Sequence, residues 1–322
     1  MTRSRRPVVL LAALLGVACS DPLANDQEAA IAREHLEIIL DVMEQNSVNR
    51  RTIDWTAFRA SVNAAAPNPG NIGGTFPAIH LALGLLGDNH GIYIGPPEWS
   101  QTVTNSTVAC PVHFAADLDI PTDIGYVKAG PIAGSGAAAA QYASRLQVRI
   151  SQEDFADPVG WIVDLRGNSG GNLWPMIAGL GPILGERALG YFIEPDGVER
   201  TLEYQDGEAR LDGVTRQDVL SPYYLKTPEP RVAVLIDEAV ASWGEGAAIA
   251  FKGRPNTRFF GVPTCGLTTA LSPFLIHGAV LQLSVAKMAD RNRTVYDRLI
   301  PDEEIVSVGP LRDRVITWVR GG

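Results

Sequence analysis

The chain has little with which to grip a nucleic acid or to stay in a bilayer. Of its 322 residues only Lys128, Lys226, Lys252 and Lys287 are lysines, they are scattered, and the formal net charge is -9. A basic surface able to neutralise phosphates is therefore excluded, and no nucleic-acid partner is expected. The three cysteines form no C-x-x-C pair and the five histidines (His35, His80, His90, His113, His277) show no H-E-x-x-H spacing. No metal and no cofactor are expected from such a set. No apolar run approaches the roughly 20 residues that a permanent membrane helix needs. With 46% hydrophobic and 20% charged residues, the sequence is that of a globular protein with one sizeable core and a smaller lobe.

The longest apolar run, residues 8–18, follows the basic stretch Met1-Thr2-Arg3-Ser4-Arg5-Arg6 and precedes Cys19-Ser20. That order reads as an export signal over residues 1–19. Gly16-Val17-Ala18-Cys19 resembles a lipobox, with Gly16 where a leucine is usual, so two readings stand side by side. Cys19 is lipidated and anchors the protein to the membrane, or the signal is simply cut near Ser20. Either way the expected location is exported, periplasmic or at the cell surface. Cys110 and Cys265 then remain as a pair that an oxidising compartment can join.

Apolar residues Ile31, Leu36, Ile39, Leu40 and Met43 recur at helical spacing between Gln27 and Asn46. Further helices are predicted over Trp55–Ala65 and Phe76–Leu86, the last stopped by Gly87, which gives a helical N-terminal lobe over residues 20–95. Beyond it the pattern changes to short apolar strands at Ile124, Trp161, Val232, Phe259 and Val280. These alternate with helical segments near Ala137–Ser151, Leu173–Leu184, Trp243–Lys252 and Leu311–Val319. Apolar strands separated by helices predict a layered α/β domain with a largely parallel sheet, placed at residues 107–322. The charged, turn-rich tract from Tyr191 to Pro230 is expected to be a surface excursion or small hairpin.

Three constellations fall at element ends, where chemistry tends to collect. Asp164-Leu165-Arg166-Gly167-Asn168-Ser169-Gly170-Gly171 joins a strand to a helix through glycines that permit positive φ and let backbone amides face an anion. It can equally be a tight connection. Ser242-Trp243-Gly244-Glu245 reads as a capping box, or as a nucleophile whose helix start stabilises an oxyanion beside the Trp243 amide. His90, in Asp88-Asn89-His90-Gly91, is a solvated turn residue or a general base.

In this order and spacing the segments resemble the tail-specific, or C-terminal-processing, serine peptidase family, in its histidine-using branch similar to the tricorn core. Asp164–Gly171, Ala241-Ser242-Trp243-Gly244-Glu245 and Phe260-Gly261-Val262-Pro263-Thr264-Cys265-Gly266-Leu267-Thr268 carry the resemblance, with a weaker match at Pro301-Asp302. It implies a crotonase/Clp-protease-like layered sandwich. It further implies Ser242 as nucleophile, an oxyanion hole from Gly170 or Gly171 with Trp243, and Glu245 as the matching glutamate of the same helix turn.

Two departures refine what the resemblance implies. The serine/lysine members read T-x-G-K, whereas Leu267 follows Thr264-Cys265-Gly266. The histidine-using branch takes its base from a D-x-H turn at the end of the N-terminal helical region, which Asp88-Asn89-His90 fits, so the resemblance implies His90 as the base. The branch takes an orienting glutamate from just before the Pro-Asp segment; none stands there, and Asp297 is the nearest candidate, with Asp302 and Asp290 behind it. Only about thirty residues separate His90 from Ile124, so no PDZ domain fits between lobe and core. The expectation is an exported serine endopeptidase acting on protein or peptide through an acyl-enzyme. The alternative is a non-catalytic ligand- or peptide-binding protein on the same scaffold, as in the retinoid-binding modules that resemble the family. A nucleotide-dependent enzyme has no P-loop lysine or ribose-binding acid to support it.

Overall fold

The computed structural model describes residues 22–322; the export signal expected over residues 1–19, with Cys19, lies outside them. Three helices come first: α1 (Pro22–Asn46), α2 (Trp55–Ala65) and α3 (Phe76–Leu86). Asp54 caps α2 by accepting from the Ala57 amide, and α3 ends at Gly87 in the left-handed region (φ 69°), where a glycine carries no Cβ penalty. Strands β1 (Ile92–Ile94) and β2 (Thr102–Thr104) follow, then β3 (Gly125–Lys128), α4 (Gly136–Asp154), β4 (Trp161–Asp164) and α5 (Leu173–Leu184). A run of antiparallel strands comes next: β5 (Arg187–Ile193), β6 (Glu199–Gln205), β7 (Glu208–Leu211) and β8 (Val214–Gln217). The chain closes with β9 (Val232–Ile236), α6 (Trp243–Ile249), β10 (Thr257–Gly261), β11 (Thr269–Ile276), β12 (Ala279–Asp290), β13 (Glu303–Glu304) and α7 (Val308–Val319).

Two sheets result. One has strand order β13-β10-β9-β4-β3, and all its pairings are parallel. Its central strands are apolar on both faces because both are covered. Val127, Val163, Val234 and Ile236 point into the main core with α4 and α5, while Tyr126, Ile162, Leu235 and Phe260 point to a second core under α7. The period of two along a strand sorts them. The other sheet is antiparallel, ordered β2-β1-β12-β5-β6-β7-β8, with β11 paired to β12.

Helix α5 lies between the two sheets. Ten of its twelve residues are buried, and that is why its sequence is apolar all round rather than on one stripe. Gly181 lets the Tyr204 ring of β6 approach, since a Cβ there would stand 1.9 Å from the ring. The tract from Tyr191 to Pro230, expected to be a surface excursion or small hairpin, is therefore not an excursion but a series of hairpins built into the sheet. Its strands continue the sheet of β12, and their alternating residues Leu202, Tyr204, Ala209 and Leu211 form one wall of the main core. Charged residues on the solvent face and short turns concealed that alternation in the sequence.

The N-terminal helices do not close a core of their own. Leu36, Ile39, Leu40 and Met43 of α1, with Ile79, Ala82 and Leu83 of α3, pack on Tyr93 of β1 and on Leu281 and Leu283 of β12. Val48, just after α1, donates to the Ser284 carbonyl (2.7 Å), and His35 of α1 meets the Tyr93 hydroxyl at 2.8 Å. The turn after α3 is thereby fixed against the same strands that border the core.

Candidate active site

Ser242 sits between β9 and α6. The approach to it is fastened by Asp237, whose Oδ1 accepts from the Gly167 and Ala239 amides, and by the Ala241 amide, which donates to Asn168 O (3.1 Å). The serine turn and the glycine-rich turn after β4 thus form one unit. Ser242 has φ 54° and ψ -127°, a conformation that costs a non-glycine residue on the order of 1–3 kcal/mol. In a capping box Ser242 would point its hydroxyl at its own helix. Instead it makes no side-chain cap bond, and Oγ lies 2.9 Å from His90 Nε2. Strain that re-aims a hydroxyl from a helix end to an imidazole is held only because the surrounding bonds over-determine it.

His90 reaches this position from the turn after α3. Asp88 Oδ1 accepts from the His90 and Gly91 amides (3.0 Å each), while Asn89 at φ 56° completes the reversal. The imidazole is 5% exposed. Burial lowers its pKa to about 4, opposed by the charge of Asp88 and by hydrogen bonding with the Thr269 backbone. It is neutral at physiological pH, as a base must be. Its Nδ1 lies 2.9 Å from Thr269 Oγ1, and Thr269 Oγ1 lies 2.8 Å from Ser284 Oγ.

Among the described residues no acid stands behind that ring nitrogen. Asp297 is exposed, and its carbonyl rather than its carboxylate is engaged, by the Thr268 hydroxyl at 3.3 Å. Asp302 accepts from the Phe259 amide (2.7 Å), and Asp290 from the Asn292 and Thr294 amides and the Tyr296 hydroxyl. All three carboxylates thus lie off the His90 ring. Glu245 is fully buried but equally removed from the imidazole: it accepts from Thr264 Oγ1 (2.5 Å), the Gly266 amide (2.9 Å) and the Leu267 amide (2.6 Å). Burial raises its pKa while those bonds and the Ser242 amide favour the ion. Its place is to tie the first turn of α6 to the segment before β11.

The two glycines differ in what their amides do. Gly170, at φ 99°, lies so close to the serine turn that a Cβ would meet Trp243 N at 2.9 Å and Ser242 Cβ at 3.0 Å. Its N–H, however, donates to Asn168 Oδ1 (2.9 Å) and cannot serve a substrate oxygen as well. Among the described residues the amides of Gly171 and Trp243 have no acceptor. Trp243 is braced from the other layer by the edge-on ring of Phe192, 5.7 Å between centroids.

Residues 105–123, where a PDZ domain is missing, form a strap. Thr107 donates to Asn89 Oδ1 through its amide (3.0 Å) and hydroxyl (2.9 Å). Cys110 is disulfide-bonded to Cys265, and His113 Nε2 meets Asp237 Oδ2 at 2.8 Å. The strap therefore links the His90 turn, the Glu245-bound segment and the end of β9. A cleft of about 370 Å³ under it is lined by His113, Arg166, Asp237 and Glu238 but by neither Ser242 nor His90. Hydrogen-bond geometry, not cavity volume, locates the serine–histidine pair. Thr269 and Ser284 were not singled out by the sequence reading, and Asp88 entered it only as part of the turn that carries His90, although Thr269 directly follows the segment that carried the resemblance.

A buried histidine beside a serine held at a strained helix start, within this pair of sheets, is an arrangement suited to nucleophilic attack. The chain belongs to Peptidase family S41, which it matches over residues 123–305, and it is a serine-type peptidase. It is 25% identical over 289 residues to a nisin-resistance protein of Lactococcus lactis subsp. lactis, covering 89% of this chain and 87% of that one. A lipoprotein from Streptococcus agalactiae superposes with TM-score 0.70 at 20% identity, over 90% of this chain and 96% of that structure. The photosystem II D1 C-terminal processing protease superposes with TM-score 0.59 at 13% identity, over 90% and 97%. These two likenesses are of fold.

Proposed function

We propose that this peptidase is an exported endopeptidase in which Ser242 is the nucleophile and His90 the general base. The observation that carries the reading is the 2.9 Å contact between Ser242 Oγ and His90 Nε2, with the serine held away from its own helix. Ser242 Oγ bonds to the substrate carbonyl carbon as its proton passes to His90 Nε2. The carbonyl oxygen becomes an oxyanion facing the Gly171 and Trp243 amides, and Gly170 keeps that approach open by lacking a Cβ. His90 then returns the proton to the departing amine as the C–N bond breaks, and water, deprotonated in the same way, hydrolyses the acyl-enzyme. Glu245 and the Cys110–Cys265 disulfide hold the frame, and Asp297 takes no part.

Export is supported by the basic and apolar residues 1–19 and by the disulfide, which suits an oxidising compartment. Attachment through a lipidated Cys19 is part of the same proposal. The name of the Lactococcus relative makes nisin the first substrate to try. Incubation of the purified protein with nisin and with unfolded casein, read by mass spectrometry, should yield new termini. The yield should fall as pH drops through about 4, where His90 protonates and can no longer accept the serine proton. Products formed equally by the Ser242→Ala protein would contradict the assignment.

A further inference from the structure

For Nε2 to accept the serine proton, Nδ1 must carry the other one, and something must accept it. In a serine–histidine–acid triad a carboxylate does both jobs at that nitrogen: it fixes the tautomer and it stabilises the imidazolium. Here the group at Nδ1 is a neutral hydroxyl, Thr269 Oγ1 at 2.9 Å. A hydroxyl that accepts from Nδ1–H has its own hydrogen free to donate, and Ser284 Oγ stands 2.8 Å away to receive it. Ser284 is fully buried and its backbone carbonyl is pinned by the Val48 amide. The pairing of the two strands explains how these side chains meet. Ala270 pairs with Ala286 but Leu271 with Ser284, so β12 carries one extra residue at this point. Such a bulge re-aims a side chain locally. Threonine, stiff at χ1, holds the hydroxyl where the ring needs it.

The charge is supplied separately. Among the described residues the charge that acts on the imidazole is that of Asp88. Its Oδ1 is occupied by the His90 and Gly91 amides, and its Oδ2 is shut off from solvent with no hydrogen-bond partner among the described residues. A carboxylate so placed can sense a cation forming on the adjacent side chain without touching Nδ1.

We propose that the two roles of a triad acid are divided in this protein: the Thr269–Ser284 hydroxyl pair positions His90 and sets its tautomer, and Asp88 provides the negative charge that favours its protonated form. This rests on His90 being the general base. Thr269→Val removes the acceptor with little change in shape, and should lower kcat/KM roughly 100-fold, whereas Thr269→Ser should stay within about tenfold of the wild type by keeping the hydroxyl. Ser284→Ala should give a smaller loss than Thr269→Val, and serves if the valine protein fails to fold. Nitrogen-15 spectra of His90 in the full chain read the tautomer without any substrate: the Nδ1–H form should dominate in the wild type and Thr269→Ser, and lose dominance in Thr269→Val. Asp88→Asn should move the His90 titration midpoint downward. Unchanged tautomer and rate in Thr269→Val, with Ser242→Ala and His90→Ala inactive, would overturn the division of roles and leave the peptidase assignment standing. Activity that survives in both of those variants would instead remove the assignment of Ser242 and His90, and the spectra would still decide the positioning.

Discussion

The parallel sheet and the antiparallel sheet contribute opposite halves of the site, and they do so by different means. On the parallel side Ser242 and the Gly170–Gly171 turn lie within a few residues of strand ends, and local bonds through Asp237 and Asn168 settle their geometry. On the antiparallel side His90, Thr269 and Ser284 come from three stretches of chain up to 194 residues apart in sequence, brought together by the lobe helices packing on β1 and β12. The position of the proposed nucleophile is therefore a product of local chain geometry, and that of the proposed base a product of tertiary packing. Damage to the lobe core should disconnect the base and leave the serine turn in place.

The largest effects should come from the pair itself. Ser242→Ala and His90→Ala should each lower kcat/KM by at least about 10³-fold, and the double variant should be hardly worse than either alone, because residues that act as a unit are not additive. Independent, multiplicative losses in steady-state kinetics would break the pairing.

Next comes the attachment of the lobe. Leu281 of β12 is fully buried and lies opposite Tyr93 of β1, so Leu281→Ala should cost about 2–5 kcal/mol. Calorimetry should show that loss, and activity should fall before the main core unfolds. Loss of stability with full activity retained would mean that His90 does not depend on the lobe core.

A smaller effect is expected at the strap. The Cys110–Cys265 bond spans 155 residues of sequence, and opening it should cost roughly 2–4 kcal/mol. Denaturant titration of the Cys110→Ser/Cys265→Ser protein measures this. Acid should weaken the fold through the histidines too. Burial lowers the folded-state pKa values of His35 and His90 to about 4 from 6.5. The unfolded chain therefore binds more protons between those values, and the stability present above pH 6.5 is lost as pH falls toward 4. Each contributes on the order of 3 kcal/mol at most. A flat stability curve from pH 7 to 4 would contradict the burial of both rings.

The same contrast explains what was legible in the sequence. Helices α2, α3 and α5 were readable to the residue, since Asp54, Gly87 and the flanking Asn172 and Gly185 are local stop and start signals. Ser242 and the glycine turn could be proposed from the sequence because the candidate chemistry and the backbone conformation sit in one short segment. What failed was long-range. Asp297 was favoured for its nearness in sequence to the Pro301-Asp302 segment, but the imidazole faces β11, and β11 presents a threonine. No spacing rule reports that a bulge in β12 sets Ser284 against Thr269. The tract from Tyr191 to Pro230 was read as a surface excursion or small hairpin because its apolar residues alternate with charges, and only the position of α5 makes one face interior.

The central claim is that His90 activates Ser242. Labelling with an active-site fluorophosphonate, followed by peptide mapping, measures this most directly. A single adduct on Ser242 is expected, formed at least about 100-fold more slowly in His90→Ala and absent in Ser242→Ala. An adduct on another residue, or a rate on Ser242 that is indifferent to the loss of His90, would contradict the claim.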